Sequence, residues 1–383
     1  MLMVAEWARE AGLEPGIDRH GNLWALPAGW TGPVVTAGSH VDTVPDGGRY
    51  DGALGTVLGL ELAEELAGAA RPSGAGPSGA GPPGARAGIL ICAAEEAPRF
   101  GAGTVGSRLM VGTLEPEALG ALRDADGISA AEAQAGYLRE LGASLPRIEA
   151  PLERLRAHAE IHVAQRRALR ELGVVTRVAS PRRFEIVVGG EAGHAGEVTM
   201  DARRDALAAA AQLILAIEAA ARAEPAETVA TVGTVAVTPG AVSVIPGSAR
   251  LGIDVRGIDS DSLTRVDAAI RAAAAEVAAA RGVTAEVRLT RAGEPVSMDP
   301  RLAAAALDAA RSLGIPATET WSGAGHDAQH VAAVAPALLL FVPLHGGESH
   351  TPQEGAAMDE IVQSAAVAAR TLGRVALDSG PGV

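Results

Sequence analysis

Hydrophobic residues along this chain form two kinds of pattern, which predict strands at some positions and helices at others. Short, nearly continuous apolar runs are typical of buried strands, and apolar residues that recur every three or four positions are typical of helices. Near the two chain ends, strands are predicted at residues 33–37, 89–93, 156–163 and 337–342, and helices at 55–67, 301–313 and 359–377. This alternation predicts an α/β fold, with a mixed sheet flanked by helices.

The middle of the chain has its own set of elements, which predicts a second domain inserted into the first. Strands are predicted at 184–188, 230–237 and 249–255, and helices at 202–223 and 262–281. This βαββα order is that of a compact α+β unit. We therefore expect a discontinuous catalytic domain at residues 1–176 and 291–383, with an inserted α+β domain at 177–290.

The remaining segments predict smaller features of the first domain. A helix is predicted at 6–13, a strand pair across 16–26, and two further helices at 117–125 and 130–141. Residues 68–88 are of low complexity, rich in Gly, Pro and Ala, and predict a surface loop.

Composition and charge narrow the classes of function. The net charge is -14 and no basic run carries interleaved aromatic residues, so we expect no nucleic-acid partner. All 32 residues counted as Lys or Arg are arginine, which excludes Schiff-base, pyridoxal phosphate and P-loop enzymes because each needs a lysine amine. The single cysteine, Cys92, is expected to be a buried thiol. No signal peptide or membrane-spanning run is found, so a cytoplasmic protein with no membrane partner is expected.

Two short segments combine acidic and imidazole side chains directly after predicted strands. The first holds His40, Asp42 and Asp51, and the second holds the adjacent pair Glu95 and Glu96. In open α/β sheets, ligands bind beyond the carboxyl ends of the strands. A hydrolytic two-metal centre needs one carboxylate that bridges the ions and another that takes a proton from water. We expect Asp51 to bridge, Glu96 to bind metal, Glu95 to act as the base and Asp42 to hold the second ring nitrogen of His40.

Further histidines and an arginine complete a plausible site. His162 and His350 each follow or end a predicted strand and would supply one imidazole ligand per ion. Nitrogen and oxygen donors suit zinc, manganese or cobalt. Arg256 is our candidate for gripping a substrate carboxylate, because a guanidinium fits a carboxylate with two hydrogen bonds. His326, beside Asp327, is a candidate for polar contact with the scissile group.

The ordered series of motifs resembles one family of enzymes over nearly the whole chain. It is similar to the amidase, hydantoinase/carbamoylase branch of the aminoacylase-like dinuclear metallohydrolases, which includes N-carbamoyl-L-amino acid hydrolases and allantoate amidohydrolases. The motifs that carry the resemblance are GSHVDTVPDGGRYDGALG, EEAPRF, EIHVAQ, GHAGEVTMDARRDAL, VIPG followed by DVR, SGAGHDA and SHTPQE.

The resemblance implies roles for individual residues. It places His40, Asp51 and His162 on the first metal, and Asp51, Glu96 and His350 on the second. It makes Glu95 the general base, and it implies that the inserted domain is a lid through which two subunits form a homodimer. Substrate contacts are implied for Gln165, His194, Ser243, Arg256 and His326, with His194 expected to reach the partner subunit's site.

The chain departs from the family's pattern on the substrate side. It has Ala-Gln-Arg-Arg at 164–167 where the family has Glu-Gln-Gly-Pro, and Ser243 where the family has Asn. The leading helix that is usual in the family is also expected to be shortened. The resemblance implies hydrolysis of a linear C–N bond in an N-carbamoyl amino acid. Allantoate or ureidoglycolate hydrolysis, a related peptidase or aminoacylase, and a weakly active paralogue that binds metal or a small acid are the alternatives.

Overall fold

The computed structural model describes residues 1–69, 84–165, 169–345 and 349–377. The centre of the predicted loop at 68–88, and Arg166 and Arg167, lie outside these residues. The chain divides into two compact units, residues 1–178 with 297–383, and residues 179–296. The predicted boundaries, after residues 176 and 290, lie shortly before these.

Helices and strands are numbered here in chain order. The helices are α1 (Leu2–Glu10), α2 (Ala53–Ala69), α3 (Val105–Met110), α4 (Ala130–Gly142), α5 (Ala206–Arg222), α6 (Ser260–Arg281), α7 (Pro300–Leu313), α8 (Asp327–Val331) and α9 (Met358–Leu377). The strands are β1 (Leu13–Ile17), β2 (Leu23–Pro27), β3 (Val34–Ala37), β4 (Arg86–Ile91), β5 (Leu155–Val163), β6 (Leu172–Val178), β7 (Ser180–Gly189), β8 (Gly193–His194), β9 (Val229–Thr238), β10 (Val244–Ile245), β11 (Ser248–Gly257), β12 (Thr284–Ala292), β13 (Val296–Ser297), β14 (Ala317–Ser322) and β15 (Ala337–Val342).

The first unit is built on a mixed sheet, as the sequence predicts. Within the described residues its order is β1-β2-β4-β3-β5-β15-β6-β13, with β14 paired to β6. The four central strands, β4, β3, β5 and β15, run parallel. On β5 the side chains of Ala159 and Ile161 face a core that includes Leu62 of α2 and Val367 of α9. Glu160 and His162, which alternate with them, therefore face the other side of the sheet.

The second unit is a four-stranded antiparallel sheet in the order β12-β7-β11-β9. Along β7, buried Phe184, Ile186 and Val188 alternate with half-buried residues. The buried residues form a core with the apolar face of α5 and α6. The alternation follows from a sheet with helices on one side only.

Several elements differ from the sequence-based expectation, which includes neither the short helices α3 and α8 nor the two-residue strands β8, β10 and β13. The helix predicted at 117–125 is wrong: a short 3₁₀ helix spans Pro116–Gly120, and the segment contains no α-helix. Strands β6, β12 and β14 were not predicted. On edge strand β12, apolar Ala285, Val287 and Leu289 alternate with polar residues, but six of its nine residues are exposed and none is fully buried. Among the described helices, none is long and apolar enough to cross a membrane.

Candidate metal centre

The candidate centre lies at the carboxyl ends of the four parallel strands. His40 follows β3, Glu95 and Glu96 follow β4, His162 lies near the end of β5, and the loop after β15 carries His350. A bridge between His40 and Cys92 extends the pairing of β3 and β4 beyond the strands themselves. Parallel strands bring their carboxyl ends to one edge of a sheet, so side chains far apart in sequence meet there.

The imidazole nitrogens of three histidines converge on the carboxylate of Asp51. His162 Nε2 lies 3.0 Å and His40 Nε2 lies 3.4 Å from Asp51 Oδ1. His350 Nε2 lies 3.1 Å from the other oxygen, Oδ2, and 3.3 Å from Glu96 Oε1. The two oxygens of Asp51 thus face two different sets of donors.

Hydrogen bonds at the other ring nitrogen fix two of these imidazoles. His40 Nδ1 lies 2.9 Å from the main-chain oxygen of Asp42, and His162 Nδ1 lies 2.9 Å from that of Val163. A carbonyl oxygen only accepts, so the proton is on Nδ1 in each ring. Nε2 of each ring is then the atom that faces Asp51 and is available to a metal once its proton is lost, which is the orientation that a metal-bound imidazole requires.

The expectation for Asp42 is wrong in one respect. Its main-chain carbonyl, not its carboxylate, holds the ring of His40; the nearer carboxylate oxygen lies 3.9 Å from Nδ1. The carboxylate instead accepts the main-chain N–H groups of Glu95, at 3.2 Å, and Glu96, at 2.9 Å. Asp42 therefore connects the loop of His40 to the loop of the glutamate pair. Ala94, just before that pair, has a positive φ of 53°.

Charge and burial perturb the titration of these groups. Burial raises the pKa of Asp51, but the nearby imidazoles of His162, His350 and His40 outweigh it and hold this pKa below its usual range. Burial likewise opposes the charged form of His162, yet its contact with Asp51 raises the pKa to about 9. Contacts with Asp51 and Glu96 raise the pKa of His350 to about 10. A divalent cation held between these groups would replace the protons.

The carboxyl of Glu95 lies beside the ligand cluster. Burial raises the pKa of the Glu95 carboxyl well above its usual range, although the nearby His40 opposes the shift. Glu95 Oε2 lies 3.8 Å from His40 Nε2, and its side chain is 12% exposed. The carboxyl is therefore next to the ligand cluster and able to exchange a proton with water there.

The donor set fits a pair of divalent metal ions. His40 Nε2 and Glu96 Oε1 are buried and have no hydrogen-bond partner among the described residues. Buried polar atoms of this kind are rare, and a cation would satisfy both. Two groups of side chains have donor atoms close enough to hold an ion: His40, Asp51 and His162, and Asp51, Glu96 and His350. A third such group combines Glu160, His162 and His326.

Comparison with known proteins identifies the family. The profile of Peptidase family M20/M25/M40 matches residues 36–374. An N-carbamoyl-L-amino acid amidohydrolase from Geobacillus stearothermophilus is 36% identical over 98% of this chain and 90% of that protein. The chain belongs to the M20 family. Its members depend on metals, and this M20 protein is a hydrolase of carbon–nitrogen bonds in linear amides.

Other M20 relatives refine the branch. The allantoate amidohydrolase of Bacillus subtilis is 34% identical over 90% of this chain and 82% of that protein. The crystal structure of an amidase of the hydantoinase/carbamoylase family from Burkholderia phymatum superposes with a TM-score of 0.82 at 34% identity, covering 98% of this chain and 89% of that chain. The M20 chain therefore lies in the hydantoinase/carbamoylase branch, as the sequence motifs indicate.

Two further predicted residues of the M20 chain lie in the first unit. The ring of His326 packs edge-on against that of His162, with centroids 4.6 Å apart, and its Nε2 lies 2.9 Å from Ser322 Oγ. Burial lowers the pKa of His326 well below its usual range, which keeps the ring neutral. Gln165 is half-buried and comes directly after the end of β5.

The other predicted substrate residues belong to the second unit. His194 pairs with Val244 in the two-stranded sheet of β8 and β10. The N–H of Ala195 donates to the main-chain oxygen of Ser243 at 2.9 Å. The structure thus brings His194 and Ser243 together. Arg256 lies near the opposite end of β11, where its Nε donates to Asp254 Oδ1 at 2.7 Å.

Sequence reasoning missed two buried glutamates around the centre. Glu160 accepts from Ser39 Oγ and from the N–H of Ala328, both at 2.7 Å, and so links the residue before His40 to α8. Glu354 bonds to the loop of Asp51. Both stand inside quoted motifs, EIHVAQ and SHTPQE, and a charged residue within an apolar strand was the available signal for Glu160.

Proposed function

We propose that this protein is an amidohydrolase that cleaves the linear C–N bond of an N-carbamoyl (ureido) amino acid. The products are the free amino acid, ammonia and carbon dioxide. The observation that carries the proposal is the carboxylate of Asp51: one oxygen lies beside Nε2 of His40 and His162, and the other lies beside Nε2 of His350, which also contacts Glu96. We assign two divalent ions per subunit to these groups, zinc in the first place, with manganese or cobalt as alternatives.

The bound ions would supply two kinds of chemistry, lowering the pKa of a water molecule and polarising the carbamoyl oxygen. Glu95 takes the proton from the attacking water, because it lies beside the ligands and its raised pKa suits a group that accepts and then returns a proton. The same carboxyl later delivers this proton to the leaving nitrogen. We assign polar contacts with the substrate to Gln165, near the end of β5, and to His326, whose ring packs against that of His162.

The second unit is assigned to recognition of the substrate carboxylate and of the carbamoyl oxygen. Arg256 would bind the carboxylate with two hydrogen bonds. His194 and Ser243 lie beyond the start of β11, and from Ser248 to Arg256 the strand extends about 26 Å. One small substrate cannot touch both ends of that strand. We therefore propose a homodimer in which His194 and Ser243 of one subunit serve the centre of the other.

The proposal is tested by a substrate panel run together with metal analysis. Ammonia release is measured for N-carbamoyl-L-amino acids, allantoate and ureidoglycolate. We expect turnover of the carbamoyl amino acids, and a loss of about 10²–10⁴-fold in kcat for Glu95→Gln with metal content unchanged. Full activity in that variant would overturn the role of Glu95.

A second candidate, allantoate hydrolysis, is favoured by the similar identity to the allantoate amidohydrolase of B. subtilis. Preferred turnover of allantoate would decide for it. Stoichiometric metal without turnover of any panel member would instead indicate a protein that binds a metal or a small acid, in line with the substitutions at 164–167 and Ser243.

A further inference from the structure

The carboxylate of Glu354 is buried against the main chain of the Asp51 loop. Its residue is 3% exposed. Glu354 Oε1 accepts the N–H of Tyr50 at 2.8 Å and the N–H of Asp51 at 3.1 Å. These two residues are more than 300 positions away in sequence, so the contact joins two separate loops.

The carboxylate of Glu354 packs closely against Gly48. A Cβ atom added at Gly48 would lie 2.3 Å from Glu354 Cδ and Oε1, so this glycine permits the close approach. Glu354 Oε2 is also buried, and it has no hydrogen-bond partner among the described residues. Keeping a half-satisfied carboxylate buried costs stability, so stability alone does not explain the residue.

The same loop contacts Asp51 in two other ways. Ser349 Oγ donates to Asp51 Oδ2 at 2.8 Å, and His350 Nε2 lies 3.1 Å from that oxygen. Within residues 349–355, the N–H of Glu354 donates to the main-chain oxygen of Thr351, and the main-chain oxygen of Gly355 accepts the N–H of His345. His350 and the two groups that hold Asp51 therefore belong to one compact segment.

We propose that Glu354 is a positioning residue that couples the two halves of the metal centre. By holding the main chain of Asp51 against the loop of His350, it sets the rotation at which each oxygen of Asp51 faces its own group of ligands. This inference rests on the two-ion centre of the proposed function. Groups that orient metal ligands from behind typically contribute about 10- to 100-fold in metal affinity.

The test compares metal binding by variants of the full-length protein, without substrate. Metal-stripped protein is titrated with Zn²⁺ in competition with a chelator dye, and hydrogen exchange is followed in the peptide that contains Tyr50 and Asp51. Glu354→Ala removes both hydrogen bonds, and Glu354→Gln retains an acceptor oxygen. Glu360→Ala is the matched control, because Glu360 lies 2.6 Å from His345 Nε2 at the start of the same loop and has no hydrogen bond or ion pair with Asp51.

We expect Glu354→Ala to bind its more weakly held ion about 10- to 100-fold less tightly, with faster exchange at Tyr50 and Asp51. Glu354→Gln should recover most of the affinity, and Glu360→Ala should match the wild type. A purely structural role would lower the melting temperature without changing the affinity measured well below it. Equal affinities for Glu354→Ala and Glu360→Ala would overturn the proposal.

Two further points keep the test decisive. If Glu354→Ala does not fold, Gly48→Ala displaces the same carboxylate by direct overlap and must weaken the same ion. Wild-type affinity in a folded Gly48→Ala would then refute the proposal. Because the titration uses no substrate, a wild type that is inactive on the whole panel would refute the proposed function while leaving this test intact.

Discussion

Replacing Gly52 by alanine should damage the metal centre far more than it damages the fold. Gly52 follows Asp51, the residue proposed to bridge the ions, and has a φ of 67°, a conformation that costs an L-residue about 1–2 kcal/mol. Its added Cβ would also lie 2.4 Å from both Cε1 and Nδ1 of His40. Ordinary carbon contacts lie at about 3.5–4.0 Å, so the imidazole or the Asp51 loop must move on the order of 1 Å.

A displacement of that size in a reacting centre reduces the rate on the order of 10²-fold. Gly314→Ala is the matched control, because Gly314 has a φ of 70° and no described atom within 4 Å of its added Cβ. Gly314→Ala should lose about 1–2 kcal/mol of unfolding free energy in urea, and Gly52→Ala should lose about 1–3 kcal/mol more because its Cβ overlaps the ring of His40. Only Gly52→Ala should also lose bound metal and ammonia release. Equal metal content and activity in the two variants would refute the reasoning.

Three other outcomes follow from the structure. Burial lowers the pKa of His158 to about 4, so between pH 6.5 and 4 the unfolded chain binds a proton that the folded chain does not. The free energy of unfolding should therefore fall by on the order of 3 kcal/mol as the pH drops from 6.5 to 4. Urea denaturation of His158→Gln should lack this loss. Zn²⁺ added to metal-stripped protein at 100 times its Kd should stabilise the fold by about 2.7 kcal/mol and raise the melting temperature. A melting temperature that does not change with added metal would contradict the site. Asp205 caps α5 by accepting the N–H groups of Leu207 and Ala208, so Asp205→Ala should cost about 1 kcal/mol while metal content stays the same; lost metal would show that the variant acts on more than the cap.

The positions of the chemical groups could be predicted from the sequence because they follow strands. His40, Glu95 and His350 come in the loops after apolar strands, and parallel strands deliver such residues to a single edge of the sheet. His162 could be predicted for the same reason. The pattern also separates the two units, since the second has its own alternation of buried and half-buried residues along β7.

Contacts between loops could not be predicted in this way. The carboxylate of Asp42 stands two residues from His40, which suggested a contact with that ring, but the chain geometry instead directs it to the N–H groups of Glu95 and Glu96. Glu354 and Asp51 come from opposite ends of the chain, so their contact depends on the tertiary fold. No residue of edge strand β12 is fully buried, so its short alternation of apolar and polar residues is only a weak signal for a strand.

The central claim, a two-ion centre divided by the carboxylate of Asp51, is tested most directly by anomalous diffraction from crystals of the zinc-loaded protein. The account predicts two zinc peaks about 3.5–4 Å apart, one beside His40 and His162 and the other beside Glu96 and His350. A single peak, or two peaks that do not share Asp51, would contradict it.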